Sequence, residues 1–151
     1  DSCNNNAYHY NDSRNPGWRY IPWDFNNSFG QDCQTTRTDP RSGNKFFHKN
    51  NIFTRFSEEE EIWDHLKERF SELLSPGHAF DTTWLLSRID EYYEEILPAA
   101  LKSEKKWEKR YRKFHAWNER TDFTTFKEEI QYIKNWIIRR HSYLQDTYGD
   151  D

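Results

Sequence analysis

No methionine and no valine occur anywhere in this sequence of 151 residues, and it holds only two cysteines. Hydrophobic residues reach just 34% while aromatics supply 18%, so an interior has to draw on Trp, Tyr and Phe more than on aliphatic side chains. Long apolar runs are missing too. Ile96-Leu97-Pro98-Ala99-Ala100-Leu101 is far too short for a bilayer, and a mean hydropathy of -1.24 agrees with no membrane span. Nor is there a basic excess: a net charge of -4 and a pI near 5.9 argue against a protein whose main affinity is for nucleic acid. No C-x-x-C, H-E-x-x-H or paired-histidine spacing is present, which removes the usual zinc sites. No G-x-S-x-G marks a hydrolase nucleophile. Counted from Asp24, an EF-hand would need Gly at loop position six and Glu at twelve, where Phe29 and Thr35 stand. A haloacid-type motif would want Asp in place of Asn26. The chain opens Asp1-Ser2-Cys3 with no hydrophobic leader, and with no methionine it reads as a fragment or a processed product.

What is present centres on Trp18-Arg19-Tyr20-Ile21-Pro22-Trp23-Asp24-Phe25-Asn26-Asn27-Ser28-Phe29-Gly30. Its aromatics predict a packed strand, Pro22 ends regular pairing, and the oxygen-rich residues from Asp24 onward predict a turn able to hold a hard cation. Upstream, Ala7-Tyr8-His9-Tyr10 forms a second aromatic run. The polar segment Asn11 to Gly17 between the two runs, ending in Asn15-Pro16-Gly17, predicts a hairpin. Cys3 and Cys33 flank this region. A bridge between them would stabilise by roughly 3–4 kcal/mol in the chain-entropy model, and the sequons Asn11-Asp12-Ser13 and Asn26-Asn27-Ser28 agree with a secreted protein.

Residues 31–51 predict a long irregular loop, after which the period changes to that of helices. Ser57 and Glu60 form a candidate capping box ahead of Ile62, Leu66, Phe70 and Leu73, and Ser75-Pro76-Gly77 stops that helix. Asp81 caps a second helix carrying Trp84, Leu85, Ile89, Tyr92 and Ile96, with a kink or break expected at Pro98. A third is expected from about Ala99 to Trp117. Its stretch Lys102 to Phe114 mixes basic residues with rings, predicting Trp107, Tyr111 and Phe114 turned inward; docking of an acidic peptide on the charged face is the second reading. Thr125 and Glu128 box the start of a last helix, with Phe126, Ile130, Ile133, Ile137 and Leu144 on one face and Gly149 at its end. The fold class is therefore α+β, mostly α: a hairpin followed by about four helices. We read one domain over residues 1–151, with residues 1–56 carrying the loops and hairpin and residues 57–148 a helical subdomain.

Asp1, Asn6 and Asp24 form the sharpest chemical constellation. Phosphoryl transfer in protein kinases uses an Asp that accepts the hydroxyl proton, an Asn that holds magnesium and, after a hairpin, a second Asp that bridges metal to phosphates. Asn6 stands five positions after Asp1, as in H-R-D-x-x-x-x-N, and the hairpin then leads into Asp24.

The residues Asn5-Asn6-Ala7-Tyr8-His9-Tyr10, then Trp18-Arg19-Tyr20-Ile21-Pro22-Trp23-Asp24-Phe25-Asn26 with Phe29-Gly30, resemble the spore coat protein H (CotH) family of secreted, atypical protein kinases. The segment from Ile130 to Leu144 is similar to that family's last helix, so the likeness covers most of the chain; its specific core is W-x-x-I-P-W-D. The resemblance implies the C-terminal lobe of a protein-kinase-like fold. It implies use of ATP with Mg2+ or Mn2+, Ser or Thr of coat or cell-surface proteins as substrate, and a secreted, spore-coat or cell-surface location. By that pattern Asp1 matches the catalytic Asp, Asp24 the metal-binding Asp, and Asn6, or Asn5, the second metal ligand. Many relatives carry an Asp where this chain has Asn26, a neutral and weaker metal ligand. The phosphate-covering loop and its Lys would belong to an upstream lobe, so this segment is expected to be inactive without it. The alternative reading is an adhesin or structural coat module on the same architecture, meeting a host or cell-surface receptor through its aromatics.

Overall fold

The computed structural model describes residues 7–25, 28–43 and 51–149. Among the described residues two strands and four helices follow one another: β1 Ala7–Asp12, β2 Asn15–Pro22, α1 Asn51–Glu58, α2 Glu60–Leu74, α3 Thr82–Tyr111 and α4 Phe126–Tyr148. The molecule is α+β and mostly helical, as expected.

The strands pair antiparallel, from Ala7 opposite Pro22 to Asn11 opposite Trp18. The reversal lies earlier than the Asn15-Pro16-Gly17 signal suggested. Asp12 faces Asn15, and the register slips between Asn11 and Asp12, which leaves Pro16 and Gly17 in a bulge. Pro16 has no N–H to give, and Gly17 takes φ +130, so both suit an unpaired position. The Asp12 carboxylate accepts from the Arg14 backbone N–H at 2.9 Å and closes the turn.

The expectation of a packed strand is corrected. Trp18 is 76% exposed and Tyr8 64%, and Trp23 and Phe25 also face solvent. Strand propensity of aromatics measures fit to a pleated surface, which cross-strand ring pairs satisfy without burial. Tyr8 stacks on Trp23 at 6.2 Å, and His9 meets Tyr20 at 5.3 Å. The edge of Tyr20 reaches Phe53 of α1 at 6.5 Å.

The helical region starts at Asn51, earlier than Ser57, because Ile52, Phe53 and Phe56 continue a helical spacing upstream. The Ser57–Glu60 capping box does not form. Ser57 donates to the Thr54 carbonyl at 2.7 Å inside α1, and α2 starts after Glu59 without a side-chain cap. Asp81 caps α3 by accepting from the Thr83 N–H at 2.8 Å. Pro98 does not break the chain. α3 runs through it for 30 residues, merging the second and third expected helices and ending at Tyr111 rather than near Trp117. The carbonyl that Pro98 leaves without an intrahelical donor belongs to an exposed stretch, open to solvent. The Thr125–Glu128 box opens α4 as expected, and Gly149 follows its last turn.

α2 and α3 both pack against α4. The buried hydrophobic residues among the described residues are Leu74, Ile137 and Tyr148, where α2 meets α4. Phe70 stacks on Tyr148 at 4.5 Å, and Trp63 meets the same ring edge-on at 6.0 Å. His141 Nε2 donates to the Leu74 carbonyl at 3.0 Å, satisfying the end of α2. Against α3, Phe126 stacks on Tyr93 at 5.6 Å, Lys134 pairs with Asp90, and the Phe126 N–H donates to Glu104. The innermost side chains are thus aliphatic as much as aromatic, and most rings lie around them. Trp107 and Tyr111, expected to turn inward, are 40% and 46% exposed. Lys106 and Arg110 lie over the Trp107 ring at 4.9 and 5.9 Å, so cations cover it in place of a core.

Candidate functional site

β2 delivers Asp24 as expected, two residues beyond Pro22, where the ladder ends. The stacked Tyr8–Trp23 pair fixes the residue before it. Asp24 is exposed and takes φ +63, a left-handed conformation that Asp tolerates better than most side chains. Beyond it the Ser28 N–H donates to the Phe25 carbonyl at 3.1 Å, and Phe29 and Gly30 take φ +57 and +96. Among the described residues, Asp24, Phe29 and Gly30 thus hold left-handed backbone, so the extended geometry of β2 does not continue past Trp23.

Of the predicted site residues, Asp24 alone is described; Asp1, Asn5, Asn6 and Asn26 lie outside the described residues, as does Cys3. Cys33 is exposed. The register sets Ala7 opposite Pro22, so the start of β1 and the end of β2 lie at one end of the hairpin. Among the described residues, no three His, Cys, Asp or Glu side chains gather closely enough to hold a metal. Asp24 itself fits a hard cation: it is a carboxylate, it is solvent-accessible, and it sits on a turn.

What steadies the far end of this turn was not singled out from the sequence. Tyr132 donates its hydroxyl to the Gly30 carbonyl at 2.6 Å. Trp136 Nε1 donates to the Thr38 carbonyl at 3.1 Å, and Arg140 Nη1 to the Pro40 and Ser42 carbonyls at 2.9 and 2.6 Å. The three recur every fourth residue, which puts them in one stripe of α4. Residues 30–42 lie along that stripe as a strap. Gly30 fits so closely that a Cβ there would come 2.4 Å from the Trp136 ring. Within the strap, Asp32 accepts from the Gln34 and Thr36 N–H groups at 2.9 and 2.8 Å. Arg37 covers the Tyr132 ring at 4.2 Å and donates to Glu129 at 3.1 Å. The one sequence signal was the Tyr-x3-Trp-x3-Arg spacing, a stripe of α4 that runs beside its aliphatic face.

The strap also borders a cavity of about 500 Å³, closed by the second half of α3, residues 114–124 and the start of α4. Its charged centre is Arg120, which reaches Asp122 at 2.7 Å and Glu129 at 3.0 Å. The hydrogen bonds that Arg120 donates to the Asp122 carboxylate lead in holding its guanidinium above its ordinary range. Burial pushes Glu129 upward, but hydrogen bonds from Thr124 and Arg120 and the charges of Arg120 and Arg37 overcome it and hold the carboxyl below its ordinary range.

Over residues 1–144 the sequence matches the family described as CotH kinase protein. No curated protein and no solved structure matches the chain.

Proposed function

The chain belongs to the CotH kinase family, and we propose that it supplies the metal-binding and catalytic loops of an atypical protein kinase. The family indicates kinase-related chemistry; the reaction proposed is transfer of the ATP γ-phosphoryl group to Ser or Thr of coat or cell-surface proteins, at a secreted, spore-coat or cell-surface location. The described segment would correspond to the C-terminal lobe of a kinase-like fold. The observation that carries the reading is the position of Asp24: an exposed carboxylate on a sharp turn, at the hairpin end to which the Ala7–Pro22 register also returns the start of β1.

In this reading Asp24 would hold a Mg2+ or Mn2+ ion, with Asn6 and Asn26 as neutral oxygen ligands, and Asp1 would orient the attacking hydroxyl and accept its proton. The bound ion would supply charge neutralisation of the phosphates. The protein's share is positioning. Tyr8–Trp23 stacking fixes one side of Asp24, and the anchored Gly30 fixes the other. ATP with Mn2+ is expected to raise the melting temperature of the intact protein, and Asp24→Asn to abolish that rise without lowering the ligand-free melting temperature. Substrate phosphorylation at the normal rate by Asp24→Asn would overturn the assignment.

One observation favours a second reading, a binding module with weak or no catalysis. Trp18, Tyr8, Trp23 and Phe25 all face solvent on or beside the hairpin, a surface rich in the side chains that anchor protein interfaces. No thermal response to ATP and metal, together with loss of receptor or coat binding in Trp18→Ala, would favour it.

A further inference from the structure

The second half of α3 carries a charge that neither the fold nor the proposed chemistry uses. Lys102, Lys105, Lys106 and Lys109 recur at i, i+3, i+4 and i+7, so they share one side of the helix, and all four are exposed. The carboxylates of the same stretch are engaged elsewhere: Glu104 accepts the Phe126 N–H at the start of α4, and Glu108 pairs with Arg112 at 3.2 Å. Among the described residues the lysines in ion pairs are Lys67 and Lys134, so these four have no carboxylate partner. The whole chain carries a net charge of -4, which makes the patch a local excess.

The negative pole of a helix attracts basic residues to its end, and Lys109 and Arg110 lie in the last turn of α3. That effect fades within one turn and does not reach Lys102, Lys105 or Lys106. Lys102 with Lys106 and Lys105 with Lys109 are like charges four residues apart, an arrangement that works against the helix. A second observation comes from the rings. Trp107 and Tyr111 stay 40% and 46% exposed where their spacing predicted burial, and Trp107 holds Lys106 and Arg110 over its ring at 4.9 and 5.9 Å. Exposed tryptophan and tyrosine beside uncompensated cations are the composition of an interface anchor, and cations already held on a ring lose less freedom when a partner arrives.

We propose that this face of α3 docks an acidic segment of a partner protein, a run of Asp and Glu whose carboxylates pair with the four lysines while its stems lie against Trp107. Lys102 and Lys109 are two turns apart, about 10 Å, a reach that about three or four extended residues cover. Lysine ammoniums are compact point charges, whereas forked recognition of phosphate is the property of arginine, so a lysine face suits a string of carboxylates better than nucleic-acid phosphates. The net charge of -4 also opposes the approach of a long polyanion or an anionic membrane. The inference stands apart from phosphoryl transfer, because binding alone tests it.

Fluorescence anisotropy of the intact protein with a labelled, capped hexaglutamate peptide reads the interaction. Hexaglutamate is expected to bind at least about tenfold more tightly than hexaglutamine and to weaken as salt is raised. The decisive variant is Lys102→Glu combined with Lys105→Glu. Each new carboxylate precedes Lys106 or Lys109 by four residues, an order that supports the helix, so the melting temperature is expected to hold or rise while hexaglutamate affinity falls at least about tenfold. Arg139→Glu, an exposed charge in the C-terminal half of α4, is expected to leave the affinity unchanged. Equal binding of hexaglutamine, unchanged affinity in the double variant, an equal loss in Arg139→Glu, or no binding of hexaglutamate overturns the proposal. Tighter binding of oligothymidylate or of phosphatidylglycerol vesicles than of hexaglutamate overturns it too, and assigns the face to nucleic acid or to a membrane.

Discussion

The hairpin and the strap are consecutive in the chain and held by opposite means. The hairpin is rich in rings yet exposes them: its strands bond to each other, its rings stack across the pair, and Tyr20 reaches α1 edge-on. The strap has almost no regular structure, with a single Gln31–Arg37 bridge, yet three side chains of α4 tie its carbonyls down. Ring content therefore does not locate the stable part of this molecule. Hydrogen bonds from the half-buried face of α4 do, and Asp24 sits where the self-contained hairpin passes into the anchored strap.

Truncating one apolar residue on each side is the hardest test of that contrast. Ile137→Ala, at 4% exposure, is expected to cost about 3 kcal/mol in urea unfolding, from lost transfer energy plus a cavity. Trp18→Ala removes a far larger side chain at 76% exposure and is expected to change stability by no more than about 0.5 kcal/mol. A large loss at Trp18 would show that the hairpin is covered in the intact protein and would break the comparison.

Two glycines sharpen it next. Gly30 and Gly17 both hold positive φ, so alanine strains either backbone. At Gly30 the new Cβ also meets Trp136 at 2.4 Å, whereas at Gly17 it meets nothing within 4 Å. Gly30→Ala is expected to cost about 2–3 kcal/mol and Gly17→Ala about 1 kcal/mol by denaturant midpoint, the difference being the clash. Gly30→Ala should also reduce the thermal response to ATP and Mn2+ if the strap positions Asp24.

The caps come third, and they show how far the sequence could be read. Thr125→Ala removes a formed capping box and is expected to cost about 1 kcal/mol, while Ser57→Ala removes only a hydroxyl bonded within its own helix and is expected to cost a few tenths. Both pairs carry the same Ser/Thr-x-x-Glu pattern. Local pattern is ambiguous where apolar residues continue upstream, as Ile52, Phe53 and Phe56 do. Where the cue and its outcome are both local, the reading succeeded: the hairpin, the Asp81 cap, the apolar face of α4 and the stop at Gly149. The break expected at Pro98 did not occur, and the continuous α3 keeps the proline on an exposed stretch, an exposure that a sequence does not display. It had no means of finding the strap, whose bonds join Thr38 to Trp136 and Pro40 to Arg140 across about a hundred residues. Of the candidate site, the strand-end position of Asp24 was readable from Pro22 and the turn residues after it. The cavity around Arg120 was not, because its walls come from four separate segments.

Acid gives the smallest and most discriminating effect. Glu129 is 31% exposed on its side chain and is held below the usual carboxylate range by Thr124, Arg120 and Arg37 against the opposing effect of burial. A carboxyl whose folded pKa lies below its unfolded value, about 4.3 for Glu, adds stability that is fully present above that unfolded value. The stability is lost as pH falls through the lower folded value. Glu129→Gln should therefore be less stable than the parent at pH 7, by at most about 1 kcal/mol given partial exposure, and the gap should close on titrating from pH 5 toward pH 2. The hairpin supplies the control: Arg14 pairs with Asp12 at 3.3 Å but is 86% exposed, so Arg14→Ala should shift stability by no more than a few tenths of a kcal/mol. If the Glu129 gap stays constant with pH, hydrogen bonding alone holds α4 to the strap. If it closes, the ion pairs with Arg120 and Arg37 are part of what anchors the loop behind Asp24, and the proposed metal response should weaken over the same acid range.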